Sequence, residues 1–393
     1  MESNRLTIKP FKPFGKIFVP CSKSLAHRFL ICAALADSES VITDIDLSED
    51  ICATINCLKN MGAQITVCGK ELHIPGFDKA KSNTLNCSES GSTLRFLIPL
   101  CLLNNEKFVF TGTKKLFERP LDFYEKLCPE NGFVFEKDKS NLLVSGKLKP
   151  NEYTIDCSKS SQFVSGMLFA LPLLNGNSII NIINPESYSY IRLTVQSLQK
   201  FGIEITLNDN KIFVKGNQKY SPCNVSVEGD YSAAANIDAF NYIGGKIEIL
   251  NLNPSSFQGD KIYKSYFNKL SDGFCKIDLS DCPDLALIMF VVAALKHGAE
   301  FIGTKRLIYK ESNRSQAMQT ELAKFGIKTE IGENTFTVFP SEIKAPTEII
   351  CGHNDHRIVM ALSVLLSVTG GTITDIDAVK KSYPDFFKAI LHT

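Results

Sequence analysis

The sequence predicts an α/β fold with its helices inside. Three observations predict it. Six segments share one design and recur along the chain at near-constant spacing. The first helix of each segment is apolar nearly all round, so it must be buried. The second helix is one-sided and ends at a glycine, so it lies at the surface. Buried helices wrapped by sheets are not a Rossmann-type sandwich, which keeps its helices outside.

Each unit opens on a short polar cluster. The clusters begin at Ser22, Ser90, Ser160, Gly229, Pro283 and Asn354, spaced by 68, 70, 69, 54 and 71 residues. Four of five spacings near seventy mark an internal repeat. A run of about a dozen mostly apolar residues follows each cluster, as in Pro283-Asp-Leu-Ala-Leu-Ile-Met-Phe-Val-Val-Ala-Ala-Leu295. Next comes an alternating strand such as Ser178–Ile183 or Gly371–Ile376. The second helix then closes on matched residues: Leu58/Met61/Gly62, Leu198/Phe201/Gly202 and Leu322/Phe325/Gly326. Leu and Met or Phe three apart share a helix face, and the glycine supplies a left-handed cap. Alternating strands follow at 63–67, 203–207 and 327–331. The unit reads β-α-β-α-β-β, six times over, with the fourth shortened and the sixth cut off at the C-terminus. Residues 4–18 are a candidate for the strand that closes the last unit, a point the sequence leaves open.

Composition limits the function. The chain has 393 residues, 43 Lys plus Arg and 42 Asp plus Glu, for a net charge of +1. Its length suggests two or three domains. The balanced charge argues against a general nucleic-acid binder. Residues 285–295, among the longest apolar runs, are too short to span a bilayer, and no basic segment leads into an apolar leader. Thirteen scattered cysteines contain no C-x-x-C pair, which argues against zinc and against a disulfide framework. The expectation is a cytoplasmic protein with no zinc site and no membrane partner, monomeric by default. The sequence also lacks the phosphate loop, G-x-G-x-x-G, H-E-x-x-H and G-x-S-x-G, which argues against P-loop, dinucleotide, zinc-hydrolase and serine-hydrolase chemistry.

The polar clusters carry the chemistry. Free N–H groups and the dipole at a helix start favour an anion. Lys23, Ser24 and Arg28, then Gly91, Ser92 and Arg95, then Ser160, Ser161 and Gln162, then His356 and Arg357 add charge and hydroxyls there. Helix capping accounts for a serine alone. It does not account for Arg28, Arg95 or Arg357 in apolar helices. A buried arginine needs a partner, and a bound phosphate or carboxylate is a bidentate one. Asp284 and Glu311 read equally well as first-turn acids or as acid–base groups.

These residues resemble the 3-phosphoshikimate 1-carboxyvinyltransferase (EPSP synthase) family of enolpyruvyl transferases over essentially the whole chain. The carriers are Ser22-Lys-Ser-Leu-Ala-His-Arg28, Ser90-Gly-Ser-Thr-Leu-Arg95, Glu118-Arg-Pro120, Ser160-Ser-Gln162, Pro283-Asp284, Lys310-Glu-Ser-Asn-Arg314, Asn354-Asp-His-Arg357 and Lys381-Ser-Tyr-Pro-Asp385. The resemblance implies a two-domain inside-out α/β barrel with three units per domain. One domain would hold residues 1–20 plus 229–393 and the other 21–228, with the active site in the cleft. It implies enolpyruvyl transfer from phosphoenolpyruvate to shikimate 3-phosphate in the shikimate pathway, without cofactor. By resemblance Lys23, Ser24, Arg28, Ser160, Ser161, Gln162, Ser187, Asp284 and Lys310 hold shikimate 3-phosphate. Lys23, Gly91, Arg119, Gln162, Arg314, Arg357 and Lys381 hold phosphoenolpyruvate. Glu311 moves the methylene proton and Asp284 the 5-hydroxyl proton, while Lys23, His356 and Lys381 stabilise the departing phosphate.

The chain departs from the family pattern at Glu89, Ser92, Phe96, Asn313 and Arg306. Arg306 stands where some members carry a substrate-contacting Asn and is left out of the site. These changes leave the reaction assignment intact but make sensitivity to glyphosate, an inhibitor of the family, unreadable. Three alternatives stay open. A UDP-N-acetylglucosamine 1-carboxyvinyltransferase would want a cysteine where Lys114 stands and a Lys-Asn pair where Lys23-Ser24 stands. An RNA 3′-phosphate cyclase relative would want a basic face and a nucleophilic histidine near the end, for which His392 is the candidate. A non-catalytic ligand-binding relative would not need Lys23, Asp284, Glu311 and Lys381 together.

Overall fold

The computed structural model describes residues 4–78 and 80–391. They form two compact units. The continuous unit is Cys21–Glu228, and the discontinuous unit joins the N-terminal stretch up to Pro20 with the chain from Gly229 onward. Each unit has its own apolar core.

The continuous unit contains three repeats with one sheet order. In the third, Glu152–Asp156 pairs in parallel with Ser178–Ile183, which pairs antiparallel with Lys211–Val214, itself antiparallel to Ile205–Asn208. Thr84–Asn86, Phe108–Thr111, Asn141–Ser145 and Val134–Lys137 repeat that order. In the first repeat the leading strand comes from the far end of the unit: Val225–Ser226 pairs in parallel with Ser40–Thr43. The long-range pairing closes the unit on itself.

The core helices are the apolar ones. Lys23–Leu35 buries residues 25 to 34 without interruption, and Gly91–Cys101 and Gln162–Ala170 are buried almost as fully. The surface helices bury one face. Glu49–Met61 buries Ile51, Ile55 and Leu58 and ends on Gly62 at φ 113°, whose N–H reaches the Leu58 and Lys59 carbonyls. That left-handed backbone is why the position is glycine.

The discontinuous unit keeps one whole sheet: Cys275–Asp278, Ala299–Ile302, Thr335–Val338 and Thr329–Ile331. The other two repeats borrow from the N-terminus. Phe14–Ile17 pairs in parallel with Lys246–Ile249, and Arg5–Ile8 pairs antiparallel with Gly371–Thr374. Residues 4–18 thus serve two repeats rather than only the last. The buried helices here are Tyr231–Asp238, Ala286–Leu295 and His356–Thr369. The helix expected at Pro283 begins as a 3-10 turn over Pro283–Leu285, so Asp284 sits just ahead of the α-helix proper. No described helix is long and apolar enough to cross a membrane. His392 lies outside the described residues.

Candidate active site

Each unit gathers charge at the starts of its core helices. In the continuous unit the Lys23 ammonium pairs with Asp50 on the next helix at 2.9 Å. Arg28, one turn on, is only 2% exposed. It donates to the Ser24 carbonyl at 2.7 Å, Thr194 Oγ1 at 2.8 Å, the Tyr190 carbonyl at 3.0 Å and Ser165 Oγ at 3.4 Å. Burial lowers its pKa to about 10. Ser187, at the N-cap of Tyr188–Lys200, is buried with φ 52°.

The second and third helix starts of this unit are joined. Ser90 caps Gly91–Cys101 by accepting from the Thr93 N–H at 3.2 Å. Arg95 Nη1 donates to Gln162 Oε1 at 2.8 Å, and Gln162 Nε2 donates to Ser92 Oγ at 2.9 Å. Arg95 also donates from Nε and Nη2 to the Pro120 carbonyl at 3.2 and 2.8 Å. One guanidinium thereby fixes the Arg119-Pro120 turn against Gln162. Gly91 lies against the Arg119 guanidinium. Ser160 Oγ accepts from the Gln162 N–H at 3.2 Å, and Ser161 is buried beside it. The structure therefore brings Gly91, Ser92, Arg119, Ser160 and Gln162 into one cluster.

A buried polar chain underlies the same helix starts. His27 Nδ1 lies 2.8 Å from Thr54 Oγ1, which lies 2.6 Å from Thr93 Oγ1, which donates to Ser90 Oγ at 2.7 Å. Donation in that order puts the single proton of a neutral imidazole on Nδ1. Burial is the main reason the His27 pKa falls to about 3; the charges of Lys23 and Arg28 add to it and Asp50 opposes it.

The discontinuous unit holds the acids. Asp284 Oδ1 meets Lys310 Nζ at 3.3 Å and Arg314 Nη1 at 3.2 Å, and its Oδ2 meets Arg357 Nη2 at 2.9 Å. Arg314 is clamped on its other edge by Asp355, at 2.8 Å from Nε to Oδ2 and 3.2 Å from Nη2 to Oδ1. Glu311 Oε2 lies 3.0 Å from His356 Nδ1 and 4.0 Å from Lys381 Nζ. Lys381 donates to the Asn354 carbonyl at 2.6 Å. Asn313 caps the Arg314 helix by accepting from the Gln316 N–H at 3.2 Å, so this departure from the family pattern preserves the cap.

The buried arginines also have partners inside the protein, which the sequence reading did not give. Arg28 uses hydroxyls and carbonyls, Arg95 uses Pro120 and Gln162, and Arg357 uses Asp284. The physical reason is that an unpaired guanidinium is too costly to bury even without ligand. Arg314 is held the same way, and its pKa is raised: burial opposes the charged form, but Asp355 and Asp284 outweigh burial.

Two acids escaped the sequence reading. Asp355 is fully buried; it accepts from Arg314, from Ser312 Oγ at 3.0 Å and from the Arg357 N–H at 3.0 Å. Its pKa is lowered, because although burial pushes it up, Arg314 pulls it further down. The signal was present, since Asp355 stands inside the quoted Asn354–Arg357 motif. Asp260 carries no such signal. It is buried, accepts from Ser232 Oγ, and has a pKa raised to about 7, first by burial and then by the charge of Asp284.

Glu311, Asp355 and His356 bring potential metal-ligand atoms within 4.8 Å of one another. Both Asp355 oxygens already accept from Arg314, and Glu311 already pairs with His356 Nδ1. A cavity of about 520 Å³ in this unit, lined by residues including Tyr231, Glu248, Lys261 and Lys264, contains none of the expected site residues.

Comparison with known proteins gives the family and the fold. The family model for EPSP synthase (3-phosphoshikimate 1-carboxyvinyltransferase) matches residues 12–390. The chain belongs to the EPSP synthase family. A 3-phosphoshikimate 1-carboxyvinyltransferase of Clostridium perfringens strain SM101 is 40% identical over 98% of this chain and 97% of its own. The protein of that name from Clostridium acetobutylicum is 39% identical over 98% of this chain and 96% of its own. The solved EPSP synthase of Acinetobacter baumannii superposes with a TM-score of 0.80 at 23% identity, covering 99% of this chain and 98% of that one. That likeness establishes the fold as the two-domain inside-out α/β type.

Proposed function

We propose that the chain transfers the enolpyruvyl group of phosphoenolpyruvate to the 5-hydroxyl of shikimate 3-phosphate and releases phosphate. The observation that carries this reading is the assembly of Asp284, Lys310, Glu311, Arg314, His356 and Arg357 into one charged cluster in a chain of this family. The family match favours shikimate 3-phosphate over UDP-N-acetylglucosamine as acceptor.

Both substrates carry a phosphate and a carboxylate. Four anionic groups need cations, hydroxyls and N–H donors. We assign Lys23, Ser24, Arg28, Ser160, Ser161, Gln162, Ser187, Asp284 and Lys310 to shikimate 3-phosphate, and Lys23, Gly91, Arg119, Gln162, Arg314, Arg357 and Lys381 to phosphoenolpyruvate. Ser24, Ser160 and Ser161 supply the hydroxyls and N–H groups of helix starts. For Arg28, Arg314 and Arg357 the protein partners set the resting position from which ligand oxygens are met.

The reaction is an addition followed by an elimination. Glu311 gives a proton to the methylene carbon, and positive charge develops on the neighbouring carbon. The 5-hydroxyl oxygen bonds to that carbon as Asp284 takes its proton. Glu311 then takes a proton back from the methyl group so formed, the double bond reforms and the C–O bond to phosphate breaks. Lys23, His356 and Lys381 stabilise the leaving phosphate. The cycle leaves Glu311 protonated as it began, held by its hydrogen bond to His356, while the 5-hydroxyl proton taken by Asp284 leaves with the phosphate.

Glu311→Gln tests the assignment. A positioned proton-transfer group contributes about 10²–10⁴-fold in rate, so turnover falls by that factor while thermal stabilisation by shikimate 3-phosphate persists. Near-normal turnover removes Glu311 from the role. We read the chain as a cytoplasmic monomer acting on small molecules alone. Thirteen cysteines scattered without a C-x-x-C pair and a balanced charge support that reading, and sedimentation tests the oligomeric state.

A further inference from the structure

We infer that Glu321, outside the assigned site, is a positioning residue that sets the segment delivering Asn354, Asp355 and His356. The inference rests on the reading above for what those residues do. Glu321 lies on the Arg314–Lys324 helix with its side chain 1% exposed. A carboxylate so buried must have its oxygens satisfied. Oε1 lies 3.0 Å from His353 Nε2, and Oε2 accepts from Lys324 Nζ at 2.8 Å and from the Cys351 N–H at 2.9 Å. Burial pushes its pKa up, but these three bonds outweigh burial and hold it below the ordinary glutamate range. Two of the three reach the loop before the last core helix. Lys324 adds a third tie by donating to the Ile349 carbonyl at 2.9 Å.

The loop needs such a clasp. His353 and Asn354 are consecutive non-glycine residues in the left-handed region, at φ 52° and 49°. Left-handed backbone is unfavourable for side-chain-bearing residues and persists where the surroundings impose it. Upstream, Ile350 is anchored to the Gly371–Thr374 strand by two backbone bonds, Ile350 N–H to Thr372 at 2.8 Å and Thr374 N–H to Ile350 at 2.9 Å. Between that anchor and the helix, Glu321 grips Cys351 and His353. The next three residues carry the chemistry. The Asn354 carbonyl receives Lys381, Asp355 clamps Arg314, and His356 meets Glu311. Glu321 touches none of the reacting groups, yet it connects the helix that begins with Arg314 to the turn that pairs with Arg314.

The test compares the full-length chain with Glu321→Gln, which keeps the shape and removes the charge, and with Glu321→Asp. Hydrogen exchange is read for amides 349–355. A displacement near 1 Å at a catalytic group is worth about 10²-fold in rate. The inference predicts that Glu321→Gln lowers kcat about 10- to 100-fold. Exchange in 351–354 rises about tenfold, as expected when a local tie is cut. Affinity for shikimate 3-phosphate is unchanged, and Glu321→Asp recovers part of the kcat. His353→Ala, at a half-exposed position, reproduces the exchange effect should Glu321→Gln fail to fold. Unchanged exchange in both variants overturns the clasp. Faster exchange with unchanged kcat overturns the positioning role. A wild-type chain without enolpyruvyl transfer sinks the proposed function but leaves the exchange result to decide the clasp.

Discussion

A Cβ built on Gly91 falls 2.6 Å from Nη1 of Arg119 and 2.7 Å from its Cζ. No room exists for a methyl group without moving the guanidinium. Arg119 sits on the turn that Arg95 fastens through the Pro120 carbonyl, so the displacement is confined to the Arg119 side chain. Gly91→Ala is expected to weaken phosphoenolpyruvate binding. A hydrogen bond to a charged group is worth about 1.5–3 kcal/mol, and about 1.4 kcal/mol is tenfold. The KM for phosphoenolpyruvate therefore rises about tenfold or more, with shikimate 3-phosphate affinity unchanged. Equal KM values for wild type and variant take Arg119 out of the site.

Asp355→Asn separates the structural from the chemical role of the buried pair. Arg314 is 2% exposed and donates twice to Asp355. Breaking a buried ion pair from one side costs about 3–5 kcal/mol. The urea midpoint of the variant should fall accordingly. A midpoint unchanged from wild type shows that Asp284 alone satisfies Arg314.

His27 gives a pH signature. Its pKa in the fold is about 3, against 6.5 for the ordinary imidazole. Between these values the unfolded chain binds a proton that the folded chain refuses. The stability that the neutral ring contributes is fully present above about pH 6.5 and is lost as pH falls toward 3, by up to about 1.4 kcal/mol per pH unit. His27→Asn should flatten the stability profile between pH 6.5 and 4 relative to wild type. Parallel profiles would mean that the ring is protonated in the fold.

The repeat and the buried helices were legible because they are local. Leu58, Met61 and Gly62 announce a helix face and its cap within five residues, and the cap forms with Gly62 at φ 113°. What the sequence hid was non-local. Nothing in Arg5–Ile8 or Phe14–Ile17 says that one pairs with Gly371–Thr374 and the other with Lys246–Ile249. The charged motifs were visible as motifs, but not their mutual pairing. Arg28 and Arg95 look like ligand-seeking cations until Thr194, 166 residues away, and Pro120 appear beside them. Asp260 stayed silent because its significance comes from burial next to Asp284, which no spacing encodes. Glu321 looks like an ordinary charge on a surface helix until Cys351 and His353 close over it.

The most direct measurement is phosphate release by the purified full-length chain from phosphoenolpyruvate, with shikimate 3-phosphate or UDP-N-acetylglucosamine as acceptor. The account predicts release that depends on shikimate 3-phosphate, one phosphate per enolpyruvyl ether formed at the 5-oxygen, and none with the nucleotide sugar. Folded protein that binds shikimate 3-phosphate but releases no phosphate with either acceptor would contradict it, and so would release with UDP-N-acetylglucosamine alone.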